Sequence, residues 1–406
     1  MHRNVEPSDL ARRLCYALSI AQQSLELLGA EGYTNPELPD NTIRPEKIVA
    51  ETGLLLYVAS LADTGQGVKQ RIERVARLLI PLVRTQKILL EVCLQPALAF
   101  DYAQAHIFLT RAGFPDPGFD ALLTSITNVQ TSPLRERFPH RMLEQEWVGR
   151  LWKNEPPDNN PIRSISLGRS LDLLHGTRDD LYAFTHAMMY VCGFEGHSNP
   201  LPRQTTELLK EAESMLARCL DDQDYDLAAE ILLAWPLTKS PWSSTASFAF
   251  HVLRQIEDQV GFLPSGSTRV QQLKNLEGIE RKKYFLATSY HTIYVMGLLC
   301  AVSLHTTAAP AEIDPDPVNL LSYLKDDKPP HWLAEFEALN QPDQSPLTKF
   351  IFDVALSRNV REKNYSAVYE LLNIAMEQNI ADTPMAAQAA GLLDRLALFA
   401  SFVPAQ

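Results

Sequence analysis

Runs of alternating β-branched residues, the mark of half-buried strands, are almost missing from this 406-residue chain. Ser164-Ile165-Ser166 comes nearest and is too short to carry a sheet. Unbroken apolar stretches such as Tyr294 to Leu304 fall short of the roughly 20 residues of a membrane span. In the opening segment MHRNVEPSDLARRL charge recurs too often for a signal-peptide core. Basic residues are outnumbered, 37 against 49 acidic, for a formal net charge of −12. A surface of that sign repels phosphate, so neither nucleic acid nor an anionic membrane is expected as a partner. The short basic stretches Arg12-Arg13 and Arg281-Lys282-Lys283 read as solvated helix faces.

The five cysteines, Cys15, Cys93, Cys192, Cys219 and Cys300, include no CxxC pair. Their wide spacing and odd number argue against a disulfide scaffold and for reduced, buried thiols in a cytoplasmic protein. Compact catalytic motifs are also missing. HExxH and GxSxG do not occur. Gly261-Phe-Leu-Pro-Ser-Gly266 has no lysine after it and matches neither a phosphate-binding loop nor a dinucleotide fingerprint.

What remains is helical periodicity in a chain that is 46% apolar and 21% charged, an ordinary globular balance. Ser8-Asp9 can cap a helix running to about Leu28, with Leu14, Leu18, Ala21, Leu25 and Leu28 on one stripe. The segment YTNPELPDN, residues 33–41, reads as a loop, and Pro45 as the first residue of a second helix. Val68 to Thr85 is a third helix, turned inward by Ile72, Val75, Leu78, Leu79 and Leu82. Further helices are predicted near 99–112, 117–128, 141–152, 180–192, 204–219, 225–235, 243–260, 280–304, 317–325, 330–339, 346–358, 362–378 and 383–402. The expected fold is all-α, an array of helical hairpins closed in one version as an (α/α) toroid. It divides into an N-terminal helical region, 1–90, a central domain, 91–305, and a C-terminal region, 306–406, packed on the same array.

An internal repeat marks the central part. Tyr102 and His106 precede Gly113-Phe114 just as Tyr182 and His186 precede Gly193-Phe194, with the same spacings. Tyr290-His291 followed by Gly297 is a looser third copy. A helix that carries His mid-face and stops at Gly suits stacked hairpins presenting similar positions on similar faces.

On a helix, Tyr182, His186 and Tyr190 share one face at i, i+4 and i+8. A polar stripe in an apolar helix is costly to bury unless it is satisfied or lines a pocket. His186 is therefore a candidate proton-transfer group, with Asp180 or Glu195 as its orienter. Tyr290, His291 and Tyr294 form a second candidate group facing the same cavity if the array closes. His106 is read chiefly as a mark of the structural repeat. No cofactor is expected. The lesser alternative is a divalent metal held by His186, His291 and one of Asp180, Glu195 or His197.

The acidic run Asp221 to Asp226 reads as a helix start, where the helix dipole favours carboxylates, rather than as a magnesium-diphosphate motif. Asp314-Pro-Asp-Pro317 reads the same way. From about residue 330, segments such as HWLAEFEALN are amphipathic packing helices. Trp235 and Trp242 seal two helices across a turn.

In DDLYAFTHAMMYVCGF, QVGFLP at 259–264 and YHTIYV at 290–295, the chain resembles a poorly characterised, all-helical family of actinobacterial type. That family shares the Asp-x-Tyr-x-x-Thr-His and Tyr-His-Thr segments. The resemblance spans residues 90–305 and parts of the C-terminus and implies a setting in bacterial specialised metabolism, with no reaction attached. A looser likeness runs to terpene-cyclase toroids, whose defining aspartate motifs are missing here. The resulting expectation is an enzyme doing acid–base or hydrolytic chemistry on a small molecule. The alternatives are a scaffold holding a protein or peptide partner, and a metal-dependent enzyme. Oligomeric state is not readable.

Overall fold

The computed structural model describes residues 4–29, 32–35, 38–62, 65–128, 137–156, 166–195, 200–313 and 330–402. Its helices run, in chain order, α1 (Pro7–Glu26), α2 (Pro45–Leu61), α3 (Gln66–Val83), α4 (Gln86–Leu94), α5 (Ala99–Arg111), α6 (Pro117–Thr127), α7 (Pro139–Lys153) and α8 (Arg178–Cys192). They continue as α9 (Thr205–Asp221), α10 (Tyr225–Leu232), α11 (Ala234–Thr238), α12 (Ser244–Val260), α13 (Val270–Asn275) and α14 (Gly278–Thr306). The C-terminal set is α15 (His331–Glu337), α16 (Gln341–Gln344), α17 (Thr348–Arg361), α18 (Tyr365–Glu377) and α19 (Pro384–Phe402). The fold is all-α. The helix expected at 317–325 and the segment 314–317 lie outside the described residues.

One expectation fails between α1 and α2. The segment read as a loop forms a small antiparallel hairpin, β1 (Tyr33–Asn35) with β2 (Leu38–Ile43). Its anchor is Tyr33, which is buried and donates its hydroxyl to the Ser24 carbonyl at the end of α1. β1 also packs against α14, so tertiary contact overrides the turn-forming composition.

Helix starts follow local chemistry. Pro occupies the first turn of α1 and of α2, where its missing N–H costs nothing. α1 begins one residue before the expected Ser8-Asp9 cap. Asp9 instead serves the first turn and accepts from Arg12 and Arg13. Arg13 is 1% exposed, and a charge so buried needs partners. It finds them in Asp9, Glu257 and Asp258, which clamp α1 to α12.

α14 is the central helix. At 29 residues, with an 18-residue window of mean hydropathy 1.5, it is long and apolar enough to cross a membrane, which the uninterrupted apolar run alone did not suggest. Its apolar window is 89% buried inside the protein, so that surface forms core. α1 lies along it. Gly297, expected to end this helix, sits inside it at the crossing with α1. A Cβ there would stand 2.5 Å from the Cβ of Ala17, so Gly serves close approach rather than termination. The two better copies of the repeat do end their helices with positive-φ glycines, Gly113 at +96° and Gly193 at +66°.

Six helices make a closed circuit of contacts: α2 with α5, α5 with α7, α7 with α8, α8 with α10, α10 with α14, and α14 with α2. α1 and α3 lie outside α2 and α14, while α9 and α12 lie outside α10. α15 packs in turn on α9 and α12, and α17 and α19 pack on α9. A buried pair, His251 Nε2 to Glu335 Oε2 at 2.7 Å, ties α12 to α15. Asp221 at the end of α9 accepts from Arg358 and Arg361 of α17. Trp235 and Trp242 stack at 6.1 Å and seal the α11–α12 turn. All five cysteines are free: Cys192, Cys219 and Cys300 are buried and Cys15 half-buried, while Cys93 is exposed, against the expectation of burial.

Candidate functional site

The six-helix circuit surrounds a pocket of about 370 Å³ whose wall takes side chains from every member. α8 reaches it through its polar face. A capping box, in which Thr177 and Asp180 exchange hydrogen bonds, fixes the start of this helix. Two turns on, the rings of Tyr182 and His186 lie 3.8 Å apart, with Tyr190 a further 5.8 Å along. His186 Nδ1 is 3.0 Å from the Tyr182 carbonyl, which can only accept. Nδ1 therefore carries the proton, and Nε2 of the neutral ring keeps its lone pair. Among the described residues no hydrogen bond reaches Nε2.

Of the tyrosines in and behind the pocket, three are engaged by its wall. Tyr190 donates to Glu144 (3.0 Å), Tyr290 donates to Glu51 (2.8 Å), and Tyr294 pairs with Thr52 (2.9 Å). Glu144 is held further by Arg141 and Gln104. Only the Tyr182 hydroxyl has no such bond among the described residues.

The floor is an imidazole among carboxylates. His291 Nδ1 donates to Glu51 Oε2 at 3.2 Å. Its Nε2 faces Glu230 Oε1 at 3.6 Å and Asp226 Oδ1 at 3.7 Å. Asp226 and Glu230 are i and i+4 on α10, hence on one face. Thr185 donates to Glu230 Oε2 (2.6 Å), and Arg178 to Asp226 Oδ2 (3.1 Å). His186 shares this floor, with Nδ1 3.9 Å from Glu230 Oε2.

Electrostatics follow from this crowding. Burial alone would keep His291 neutral, but Glu51, Asp226 and Glu230 raise its pKa well above the usual range. Burial pushes Glu51 up, yet His291 and Lys47 outweigh it and hold the carboxyl down at about 2. Asp226 is shifted up by burial and by neighbouring Glu230 and Asp224, against the pull of His291 and Arg178. Glu230 is shifted down, because both histidines and Thr185 overcome its burial. One ligand atom from each of Asp226, Glu230 and His291 falls within 4.8 Å of the others, so these three residues could hold a metal ion.

The structure thus brings Tyr182, His186, Tyr190, His291 and Tyr294 to one pocket, with Tyr290 directly behind its floor. It does not bring Asp180 or Glu195 there. Asp180 is the capping residue, so the group that orients His186 is a backbone carbonyl. Glu195 accepts from Tyr57 in a separate pocket of about 470 Å³ beside Arg111 and Trp147. Neither residue therefore joins His186 and His291 in a metal set, and the acidic residues that the structure does group with His291 are Asp226 and Glu230. His197 lies outside the described residues. His106 points away from the pocket, stacked on Phe119 at 3.8 Å and bonded to Asp120.

Glu51, Asp226 and Glu230 are the residues that sequence reasoning missed. Asp226 was visible only as part of an acidic helix start, and Asp224 does cap α10. The missed signal was the i, i+4 carboxylate pair inside an otherwise apolar helix.

These features define an all-α protein whose pocket is lined by six helices, with one histidine and three carboxylates clustered at its base. The chain belongs to the family described as Domain of unknown function (DUF6895), whose model matches residues 16–301. No curated protein and no solved structure matches it. The matched span runs from within α1 almost to the end of α14 and contains every pocket residue named above.

Proposed function

We propose that the ring pocket is the active site of an enzyme that does acid–base or hydrolytic chemistry on a small polar molecule. The observation that carries this reading is His186, whose Nδ1–H is fixed by a backbone carbonyl while Nε2 stays free at the pocket wall. A general base needs that arrangement. Tyr182, its hydroxyl uncommitted, is the hydrogen-bond donor beside it. The remaining tyrosines hold the wall rather than the substrate. A cavity of a few hundred Å³ with few convergent polar groups suits a small ligand. We read the circuit of helices as the inner wall of an (α/α) toroid. We further propose a cytoplasmic, bacterial specialised-metabolic setting, supported by the five free cysteines and by the shared Asp-x-Tyr-x-x-Thr-His segment.

The test is turnover of a small-metabolite extract followed by mass spectrometry, comparing wild type with His186→Gln. Wild type should convert at least one species. The variant should do so about 100-fold or more slowly, the range for loss of a general base. Its unfolding free energy should change by no more than about 2 kcal/mol, the cost of one ordinary hydrogen bond and of the ring contact with Tyr182. Absence of turnover by wild type, or equal turnover by the variant, would overturn the reading.

A second reading is a binding scaffold, favoured by the exposed apolar side chains of α18 and α19. Tyr369, Met376, Leu398, Phe399 and Phe402 are each at least 60% exposed. A wild-type protein that converts nothing would shift weight to it.

A further inference from the structure

We infer that Asp226, Glu230 and His291 form a binding site for one divalent transition-metal cation, of the zinc or manganese class. The assignment goes beyond the catalytic reading and stands without it. His291 Nδ1 must donate to Glu51, so in the neutral ring the Nε2 lone pair points at two carboxylate oxygens. Without metal, the Nε2 proton of the imidazolium supplies the positive charge among these atoms, and a dication that displaces that proton would stand between the three. Their separations decide which cation fits. At 3.6 and 3.7 Å, Nε2 is too far from either oxygen for a hydrogen bond, so a shared proton fits poorly. A tetrahedral ion with bonds of roughly 2.0–2.2 Å sets its ligand atoms about 3.3–3.6 Å apart. The two separations from His291 match that span to within a few tenths of an ångström, and all three ligand atoms lie within 4.8 Å of one another.

The buried polar inventory points the same way. Asp226 is 8% exposed, and its Oδ1, the atom facing His291, has no hydrogen-bond partner. A buried carboxylate oxygen without a donor is costly unless a cation takes its place. The opposite atom of each ligand is held. Glu51 takes His291 Nδ1–H, Thr185 serves Glu230 Oε2, and Arg178 serves Asp226 Oδ2. Tyr290 in turn fixes Glu51. Outer partners of this kind orient metal ligands and set the imidazole tautomer. Two carboxylates with a neutral imidazole carry a charge of −2, matching a dication. One nitrogen and two oxygen ligands favour zinc or manganese over calcium, which takes six to eight oxygens. Three protein ligands leave a fourth position of a tetrahedral ion for water or substrate.

The test is calorimetric titration of chelator-treated, full-length protein with Zn²⁺ and with Mn²⁺. One equivalent should bind to wild type and raise its melting temperature. Asp226→Asn and Glu230→Gln should each weaken binding about 100-fold or more, and Glu51→Gln by about 10–100-fold through the outer partner. Asp222→Asn, in the same acidic run but outside the site, should bind like wild type. Absence of a one-equivalent site in wild type, or equal weakening by Asp222→Asn, would overturn the inference. If one of the ligand variants fails to fold, the other decides. Stoichiometric metal without turnover would defeat the catalytic proposal alone, and turnover by a protein that shows no one-equivalent site would defeat the metal site alone.

Discussion

Glu51 and His291 stand 240 positions apart in the chain and meet at 3.2 Å across the α2–α14 contact. The same Glu51 oxygen accepts from Tyr290, so one carboxylate satisfies two donors from α14. Glu51→Ala would leave both donors without an acceptor, and losing a partner inside a protein costs more than the bond itself contributes. A loss of about 2–4 kcal/mol is expected, read from urea unfolding. Glu51→Gln keeps an acceptor oxygen and should lose less than half as much. Equal costs for the two substitutions would mean that Glu51 acts through its charge rather than as a shared acceptor.

The meeting of α1 and α14 rests on a missing side chain. A Cβ on Gly297 would lie 2.5 Å from the Cβ of Ala17 and 3.1 Å from a methyl of Leu55. Neither α-helix can move aside locally, because Cβ atoms are fixed to the backbone. Gly297→Ala gains roughly 1 kcal/mol of helix propensity. The clash should outweigh that gain, for a net loss of about 1–3 kcal/mol. Ala17→Gly removes the opposing atom, so the double variant should recover part of the loss. Thermal or urea unfolding of the four proteins in the cycle measures this coupling. Additive effects would show that the crossing relaxes freely.

Much of this architecture was legible in the sequence because helix boundaries follow local signals. Pro45, the acidic first turn before α10 and the glycines after α5 and α8 each mark a terminus by chemistry within a few residues. The stripe of Tyr182, His186 and Tyr190 was legible for the same reason, since a helix converts spacing into a face. The floor of the pocket was not. Glu51 belongs to α2, Asp226 and Glu230 to α10, and His291 to α14, and no local rule relates those helices. Gly297 shows the limit from the other side: the spacing after His291 imitated a helix stop, and only the position of α1 reveals a packing glycine. The β1–β2 hairpin escaped because its stability comes from Tyr33 on α1 and from α14, not from strand-like residues.

The last prediction concerns Asp353 on α17, 3% exposed and accepting 2.6 Å hydrogen bonds from Ser214 on α9 and from Thr383 just before α19. Burial pushes its carboxyl up to about 6, and the two hydroxyls only partly oppose that shift. The unfolded chain has the ordinary value near 3.9. Between those two pH values the folded state binds the proton more tightly, so stability falls as pH rises through that window. Below about pH 4 the side chain is neutral in both states and costs nothing. Above about pH 6 the folded protein must bury a carboxylate. Asp353→Asn keeps the shape and removes the titration. Relative to wild type, the variant should gain about 2 kcal/mol of unfolding free energy between pH 4.5 and pH 7.5. Urea unfolding at the two pH values measures the difference. A variant whose deficit or advantage is the same at both would show that Asp353 titrates normally, with Ser214 and Thr383 fully offsetting its burial.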